Sequence, residues 1–240
     1  MNQGTYPLAA SMINQLNRVD TIANNLANAN TIGYKQTGMT EGTFNNYLDK
    51  AREKNSKTTE MNVLTNSVPK LNSTYTNQEM GSHMQTGNKL DFALKQEDAF
   101  FKVQNPNGEQ LLTRDGSFKI VNNLLVTSEN YPVLSADNEP ITVEEGIDFS
   151  EQIGVVLTDF ENLQKVGKNN YHINDFANTT NFQGDNSNYI LQGTLEQSNV
   201  NSITSMVALI DAHRRFEQAQ KAVQGIDDIN AKVIEKLGAK

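Results

Sequence analysis

The chain has 240 residues, no cysteine and a formal net charge of −8. It therefore holds no disulfide framework, thiolate metal site or cysteine nucleophile, and its balance is wrong for a general nucleic-acid binder, which needs a basic face. A hydrophobic content of 37% and a mean hydropathy of −0.57 are low for a compact enzyme. No apolar run approaches the roughly 20 residues of a membrane span. The start lacks the basic stretch and the apolar core of about 7–15 residues that mark a cleavable secretory signal, so export would need another route.

The first helix is expected to begin near Thr5-Tyr6-Pro7, because proline is tolerated in a first turn where its missing N–H has no partner to lose. Ala9, Met12, Leu16, Val19, Ala23 and Leu26 follow at spacings of 3 and 4, a coiled-coil seam. The remaining positions are mostly Asn, Gln, Ser and Ala. The only charges in residues 1–32 are Arg18 and Asp20. Solvated helix faces usually carry Lys and Glu, so this amide-rich face is expected to be buried, where side-chain amides can hydrogen-bond. The pattern runs to about Ala29, and Gly33 is the expected left-handed residue after the helix end.

Residues 34–89 are polar and rich in Thr, Asn and Ser. They read as extended chain and linker, with Phe44, Tyr47 and Leu48 able to share one short helical turn. Residues 90–193 read as an antiparallel β-domain of short strands between turn signals. Its expected strands are Ala99–Gln104, Leu111–Arg114, Phe118–Val121, Leu124–Thr127, Pro132–Leu134, Ile141–Val143, Ile153–Leu157, Tyr171–Ile173 and Tyr189–Leu191. Asn105-Pro106-Asn107-Gly108, Asp115-Gly116 and Asn122-Asn123 supply turns.

Residues 194–240 hold a final helix, from about Asn201 to Leu237, capped by Asn201 or Ser202. Leu209, Ala212, Phe216, Ala219, Val223, Ile226, Asn230, Val233 and Leu237 form a second seam at spacings of 3 and 4. Gly225 inside it costs about 1 kcal/mol relative to Ala. Asn230 in the seam either fixes register or faces water where the seam frays. Residues 203–240 carry six basic and five acidic side chains, so the negative charge belongs to the middle of the chain. Near-neutral ends on an acidic body suit ends that pack against copies of themselves. The fold class is then α+β: terminal helices 1–33 and 194–240 paired as a coiled-coil core, and a central antiparallel domain.

A search for chemistry finds no active site. His83, His172 and His213 have no carboxylate or second histidine at metal-ligand spacing. Nucleophile elbows and phosphate-binding glycine loops are absent. Asp159 and Glu161 would alternate on one strand face, and with Asp227-Asp228 they read as solvated carboxylates. Arg214-Arg215 is too short a basic run for nucleic acid and is expected to pair with neighbouring carboxylates. No catalytic residue, cofactor or metal is expected.

Three ordered blocks carry a likeness. Ala23–Lys35 reads ANNLANANTIGYK, with Asn24, Asn25, Leu26, Ala27, Asn28, Gly33, Tyr34 and Lys35 at its fixed positions. Leu90–Phe118 contains L-D-x-A, F-F-x-V-Q, a P-x-G turn and T-R-x-G-x-F. Gly193–Asp228 contains Leu195-Glu196-x-Ser198-Asn199-Val200 and then Arg215-Phe216-Glu217. Together these resemble the bacterial flagellar rod and hook protein family. The length, the tyrosine-bearing start and the Arg-Arg-Phe-Glu ending look most like the proximal rod member, with the distal rod member next.

The resemblance implies a structural subunit that polymerises helically through its terminal helices into a hollow, torque-bearing shaft in the periplasmic basal body. Its partners would be copies of itself, other rod proteins and the flagellar type III export apparatus, with no nucleic acid or small-molecule substrate. A β-domain binding module on a coiled-coil stalk is the alternative from a different class. Such a stalk would show charged e and g positions, and the amide-rich first helix does not.

Overall fold

The computed structural model describes residues 5–43, 69–143, 149–167, 169–175, 179–181 and 188–238. Phe44, Tyr47 and Leu48 lie outside them. The chain divides into a terminal unit, Met1–Leu26, Thr37–Tyr75 and Asn201–Lys240, and a central unit, Ala27–Gln36 and Thr76–Val200.

In the terminal unit, helix α1 spans Thr5–Ala27. Its covered positions include Ser11, Asn14, Gln15, Arg18, Thr21, Ile22 and Asn25, so the amide face is the buried one. Asn14 and Asn25 are the most enclosed. The Asn25 amide pairs with the backbone of Thr37 in both directions: Oδ1 accepts its N–H at 2.9 Å and Nδ2 donates to its carbonyl at 2.8 Å. That two-way bond resolves the cost of burying an amide. The apolar seam behaves differently in the single chain. Met12, Val19 and Leu26 are half-buried, while Leu16 and Ala23 are exposed.

Strands β1 (Thr37–Thr43) and β2 (Pro69–Thr76) pair as a two-stranded ribbon, so part of the segment read as linker carries regular structure. Helix α2 spans Ser202–Gly238. Asn201 caps it: Oδ1 accepts from Ile203 N at 3.0 Å and Thr204 N at 3.1 Å, satisfying two donors that the first turn leaves unpaired. The least exposed positions of α2 beyond its first turn are Ser205, Ala208, Leu209, Ala212, Phe216, Ala219, Val223, Ile226 and Asn230. From Leu209 onward they coincide with the expected seam. Val233 is exposed, and the Leu237 side chain lies outside the described residues. On the opposite face Ile203, Met206, Val207 and Ile210 are more than half exposed.

The central unit is built on a six-stranded antiparallel sheet in the order β10-β11-β6-β5-β9-β12. Those strands are β5 (Ala99–Gln104), β6 (Gln110–Thr113), β9 (Val155–Leu157), β10 (Leu163–Val166), β11 (Asn170–Ile173) and β12 (Thr180–Asn181). Strand β5 is nearly all buried because both faces of the sheet are covered there. Phe101 and Val103 join one apolar cluster with Phe92, Leu111, Phe118, Leu125 and Ile153. Phe100 joins the other, with Leu112, Val156, Phe160, Tyr171 and Ile173. Each fully buried side chain of this size stabilises by about 1.5–3 kcal/mol.

Three two-stranded ribbons complete the unit. They pair β3 (His83–Gln85) with β14 (Thr194–Glu196), β4 (Phe92–Leu94) with β13 (Ile190–Gln192), and β7 (Lys119–Val121) with β8 (Leu124–Val126). The β7–β8 hairpin turns on Asn122 (φ 52°) and Asn123 (φ 63°). Two consecutive left-handed residues match the right-handed strand twist, and asparagine tolerates that region. Two expectations change. Asp159 and Glu161 do not share a strand face, because a 3₁₀ turn at Phe160–Asn162 intervenes after β9. Pro132–Leu134 and Ile141–Val143 contribute isolated bridges, such as Val133 with Val103 and Thr142 with Leu124.

Candidate functional site, a buried ionic junction

The three sequence blocks meet inside the central unit at one carboxylate. Lys35 follows the first helix, Arg114 follows β6, and Glu196 ends β14. The three side chains are almost completely shielded from solvent. Lys35 Nζ lies 2.8 Å from Glu196 Oε1. Arg114 Nε donates to Oε2 at 2.8 Å, and Nη2 sits 2.7 Å from the same oxygen off the hydrogen-bond direction. Gly81 N–H donates to Oε1 at 3.0 Å.

Main-chain carbonyls share the cations' remaining donors. Arg114 Nη1 reaches the oxygens of Gln96, Glu97 and Ala99 at 3.0, 2.9 and 2.7 Å. Lys35 Nζ reaches the carbonyl of Glu79 at 2.6 Å. Two cations on one carboxylate leave a surplus positive charge in a low-dielectric site. Burial pushes the Glu196 carboxyl up, but Arg114 and Lys35 together outweigh it and hold the group below its ordinary value. Burial pulls the Lys35 ammonium down, Arg114 adds to that, and the shared Glu196 only partly offsets it.

The segments on either side of the junction are stitched together by backbone groups. Gly33 N–H donates to the Glu196 carbonyl at 2.8 Å. Gln36 N–H donates to Asn199 Oδ1 at 2.7 Å, and Asn199 Nδ2 donates to the carbonyls of Glu79 at 2.9 Å and Asn77 at 3.2 Å. Gly33 has φ +68°, as expected of a residue that turns the chain after the helix. A Cβ there would lie 2.5 Å from the Arg114 carbonyl carbon, and one on Gly81 would lie 1.7 Å from the Gln197 carbonyl oxygen. Glycine is what allows these close approaches.

Lys165, on β10, adds a third cation beside this stitching. Its Nζ lies 3.9 Å from the centre of the Tyr34 ring and donates to the Lys35 carbonyl at 3.0 Å. Burial lowers its pKa to about 8.

Of the family-signature positions, Gly33, Tyr34, Lys35, Asn199 and Val200 gather in this region of the central unit. Ser198 supports it locally by accepting from Val200 N–H at 3.2 Å. Asn25 acts within the terminal unit, and Asn28 accepts from Thr31 Oγ1 at 3.2 Å in the turn after α1. Leu26 is half-buried, Asn24 and Ala27 are exposed, and on α2 Phe216 is half-buried between exposed Arg215 and Glu217. Arg114 and Glu196, the centre of the junction, stand in the T-R-x-G-x-F and Leu195-Glu196 motifs, but the sequence alone assigned neither a role.

Among the described residues no three or more His, Cys, Asp or Glu are grouped to hold a metal, and no helix is long and apolar enough to cross a membrane. What the junction does chemically is lock three distant segments together.

Comparison with known proteins agrees with the block structure. Residues 9–35 match the family described as "Flagella basal body rod protein", and residues 96–158 match "Flagellar hook protein FlgE/F/G D1 domain". Residues 191–236 match "Flagellar basal body rod FlgEFG protein C-terminal". The chain is 32% identical to the flagellar basal-body rod protein FlgF of Mesorhizobium japonicum over 100% of both chains. It is 30% identical to the flagellar basal-body rod protein FlgG of Borreliella burgdorferi, over 95% of this chain and 96% of that one. Identity to the flagellar hook-basal body complex protein FlhO of Bacillus subtilis is 28% over 99% of both. With full-length likeness of this kind and a core assembled from all three matched blocks, the chain belongs to the flagellar basal-body rod protein family.

Proposed function

We propose that this chain is a structural subunit of the flagellar basal-body rod, most similar to the proximal rod member, and that it polymerises through its terminal helices. The observation that carries this reading is the full-length match to rod proteins. The 3–4 repeat on both ends adds to it. On α1 the apolar positions Ile13 and Leu16 face outward while the amide face is covered, and on α2 Ile203, Met206, Val207 and Ile210 do the same opposite the covered stripe. Apolar residues turned outward on long, weakly charged helices are what a repeated subunit contact needs.

In this reading Met12, Leu16, Val19, Ala23 and Leu26 pair with the α2 stripe of Leu209, Phe216, Val223, Ile226, Asn230, Val233 and Leu237, within a subunit or between neighbours. A heterologous contact that does not close generates a helical tube. The rod spans the periplasm, and the flagellar type III apparatus delivers its subunits. The terminal helices are marginal alone and gain order on docking.

Leu26→Asp is expected to abolish incorporation into the rod while leaving the central unit's melting transition unchanged. A complementation assay for motility, with basal bodies probed for the variant, checks the first part. Normal incorporation of Leu26→Asp would remove the α1 seam from the assembly contact. A melting curve of the variant checks the second part, and hydrogen exchange on the purified monomer tests the order gained on docking: fast exchange in 1–32 and 203–240 beside a protected 90–193 is expected. Protected termini in a monodisperse monomer would favour the stalked binding module. The likeness to FlgG keeps the distal rod as the second reading, separable by which of the two rod segments the chain restores.

A further inference from the structure

The turn that joins β5 to β6 holds the chain's single Asn-Gly pair, Asn107-Gly108. Such a pair is labile for a reason of reach. The backbone nitrogen after an asparagine can close a five-membered ring on the side-chain carbonyl carbon, and glycine adds no side chain to hinder the approach. The P-x-G pattern of the matched block leaves the middle position open, so the pattern does not require an asparagine there.

The structure leaves this pair room to react. Both residues are exposed, and a Cβ on Gly108 would meet nothing within 4 Å. Gly108 has φ +85°, and its N–H donates to the Asn105 carbonyl at 3.0 Å to close the turn. Asn107 N–H donates to Asn105 Oδ1 at 2.9 Å, but among the described residues nothing hydrogen-bonds the Asn107 side-chain amide. Two nearby pairs lack one requirement or another. Asn105 is followed by Pro106, which has no N–H to give up. Its amide is also tied: Oδ1 accepts from Asn107 and Glu109 N–H and Nδ2 donates to Glu109 Oε2, each at 2.9 Å. Asp115-Gly116 has the right spacing, but Asp115 is buried and its two oxygens accept from Ser117 and Ser128. A Cβ on Gly116 would lie 1.8 Å from the Phe92 carbonyl oxygen, so that backbone is hemmed in.

We propose that Asn107 is a site of spontaneous deamidation, converting in the folded protein to a mixture of aspartyl and isoaspartyl residues. Base removes the Gly108 amide proton and the nitrogen adds to Asn107 Cγ. A C–N bond forms, the Cγ–Nδ2 bond breaks, and Nδ2 leaves as ammonia with a proton returned by solvent. Water then opens the succinimide at either carbonyl. The bond from Gly108 N–H to Asn105 must break first, which at an exposed loop tip costs little. The folded chain is therefore slower than the same residues in a peptide, but not inert. Opening at the main-chain carbonyl gives isoaspartate and lengthens the backbone by one methylene. That insertion falls inside the loop that the Asn105 N–H closes on the Glu109 carbonyl at 2.9 Å, just beyond the Gln104–Gln110 pair. Either product adds a negative charge two residues from Glu109.

The test is timed incubation of the purified full chain at neutral and at mildly alkaline pH. Brief trypsin digestion and mass spectrometry then follow the peptide Val103–Arg114, which holds both Asn105 and Asn107. The expected result is a growing mass gain of amide to carboxyl, placed at residue 107 by fragmentation and absent at 105. It should rise with pH, run faster in urea, and create a group that an isoaspartyl carboxyl methyltransferase labels. Asn107→Gln is expected to abolish both gain and label while the Tm stays unchanged, since the Asn107 amide holds nothing in place. No gain in the folded chain over a period in which a synthetic peptide of the same residues converts overturns the proposal. So does a gain at another asparagine ahead of 107, or a label that Asn107→Gln leaves intact.

Discussion

The terminal and central units solve opposite problems. The central unit closes on itself: its sheet is covered on both faces at β5, it holds two buried apolar clusters, and even its charged Lys35, Arg114 and Glu196 find partners inside. The terminal unit does the reverse. It buries asparagines on α1 and leaves Ile13, Leu16, Ile203, Met206, Val207 and Ile210 facing outward. A region that pairs most of its buried polar groups internally is specified by its own sequence, while outward apolar residues leave surface that contacts can cover. One chain thus carries a closed body and ends with outward apolar residues, which suit the assembly proposed above.

Perturbations can be aimed at either side of that contrast. Glu196→Gln is expected to have the largest effect, because it leaves two buried cations around a neutral amide. A loss of about 3–5 kcal/mol is the usual scale for removing one partner of a buried ion pair, read by urea denaturation with a probe in the central unit. Replacing Lys35, Arg114 and Glu196 together with apolar residues of similar volume should cost far less. Equal losses in the two variants would show that packing, not charge, closes the junction.

Gly33→Val comes next. It puts a β-branched residue at positive φ and its Cβ against the Arg114 backbone, at a cost of about 1–3 kcal/mol or more. The same denaturation curve measures it, and an unchanged midpoint would separate the turn from the junction. Asn201→Ala should cost about 0.5–2 kcal/mol of α2 stability, seen as faster hydrogen exchange in the first turn with no change in the central unit's midpoint. Movement of both regions would break the contrast between the units.

The smallest effects are those of pH. Glu196 is held below its ordinary pKa, so its contribution is present above roughly pH 4.3, the value for an unperturbed glutamate, and is lost as pH falls through the lowered folded value. Lys165 gives a slope of the same sign in a higher pH window. Its folded pKa is lowered from 10.5 to about 8, so between those values the unfolded chain holds the extra proton and stability rises with pH. Lys165→Met should flatten the slope of Tm against pH between 8 and 10. A slope unaltered by that change would mean that the contact with Tyr34 keeps the ammonium fully charged.

Much of this was legible in the sequence because it is local. The 3–4 repeat marked both helices, Asn201 its cap and Gly33 its left-handed turn, and the F-F-x-V strand together with the Asn122-Asn123 turn marked the sheet. From Leu209 to Asn230 the α2 stripe appeared where the spacing put it, and Val233 beyond it is exposed. What escaped was non-local. The uncharged amides of α1 pointed to a covered face, but the spacing of Met12, Leu16 and Val19 did not say that Leu16 would be left exposed within the single chain. Nor could periodicity reveal that charges at 35, 114 and 196 converge. The short strands β3, β4 and β14 were missed for the same reason, since each is defined by a distant partner.

The junction also sets an order of events. Its Lys35–Glu196 bond joins residues 161 apart and its Arg114–Glu196 bond residues 82 apart, while β3 waits for β14 and β4 for β13. Loops of that length close slowly, and their entropy must be met before any contact rewards it. A chain emerging from its N-terminus through any narrow passage cannot complete its central unit until residue 196 has cleared the exit. The carboxylate that locks the finished fold is thus among the last residues of the central unit to emerge, which keeps the chain threadable for most of its passage.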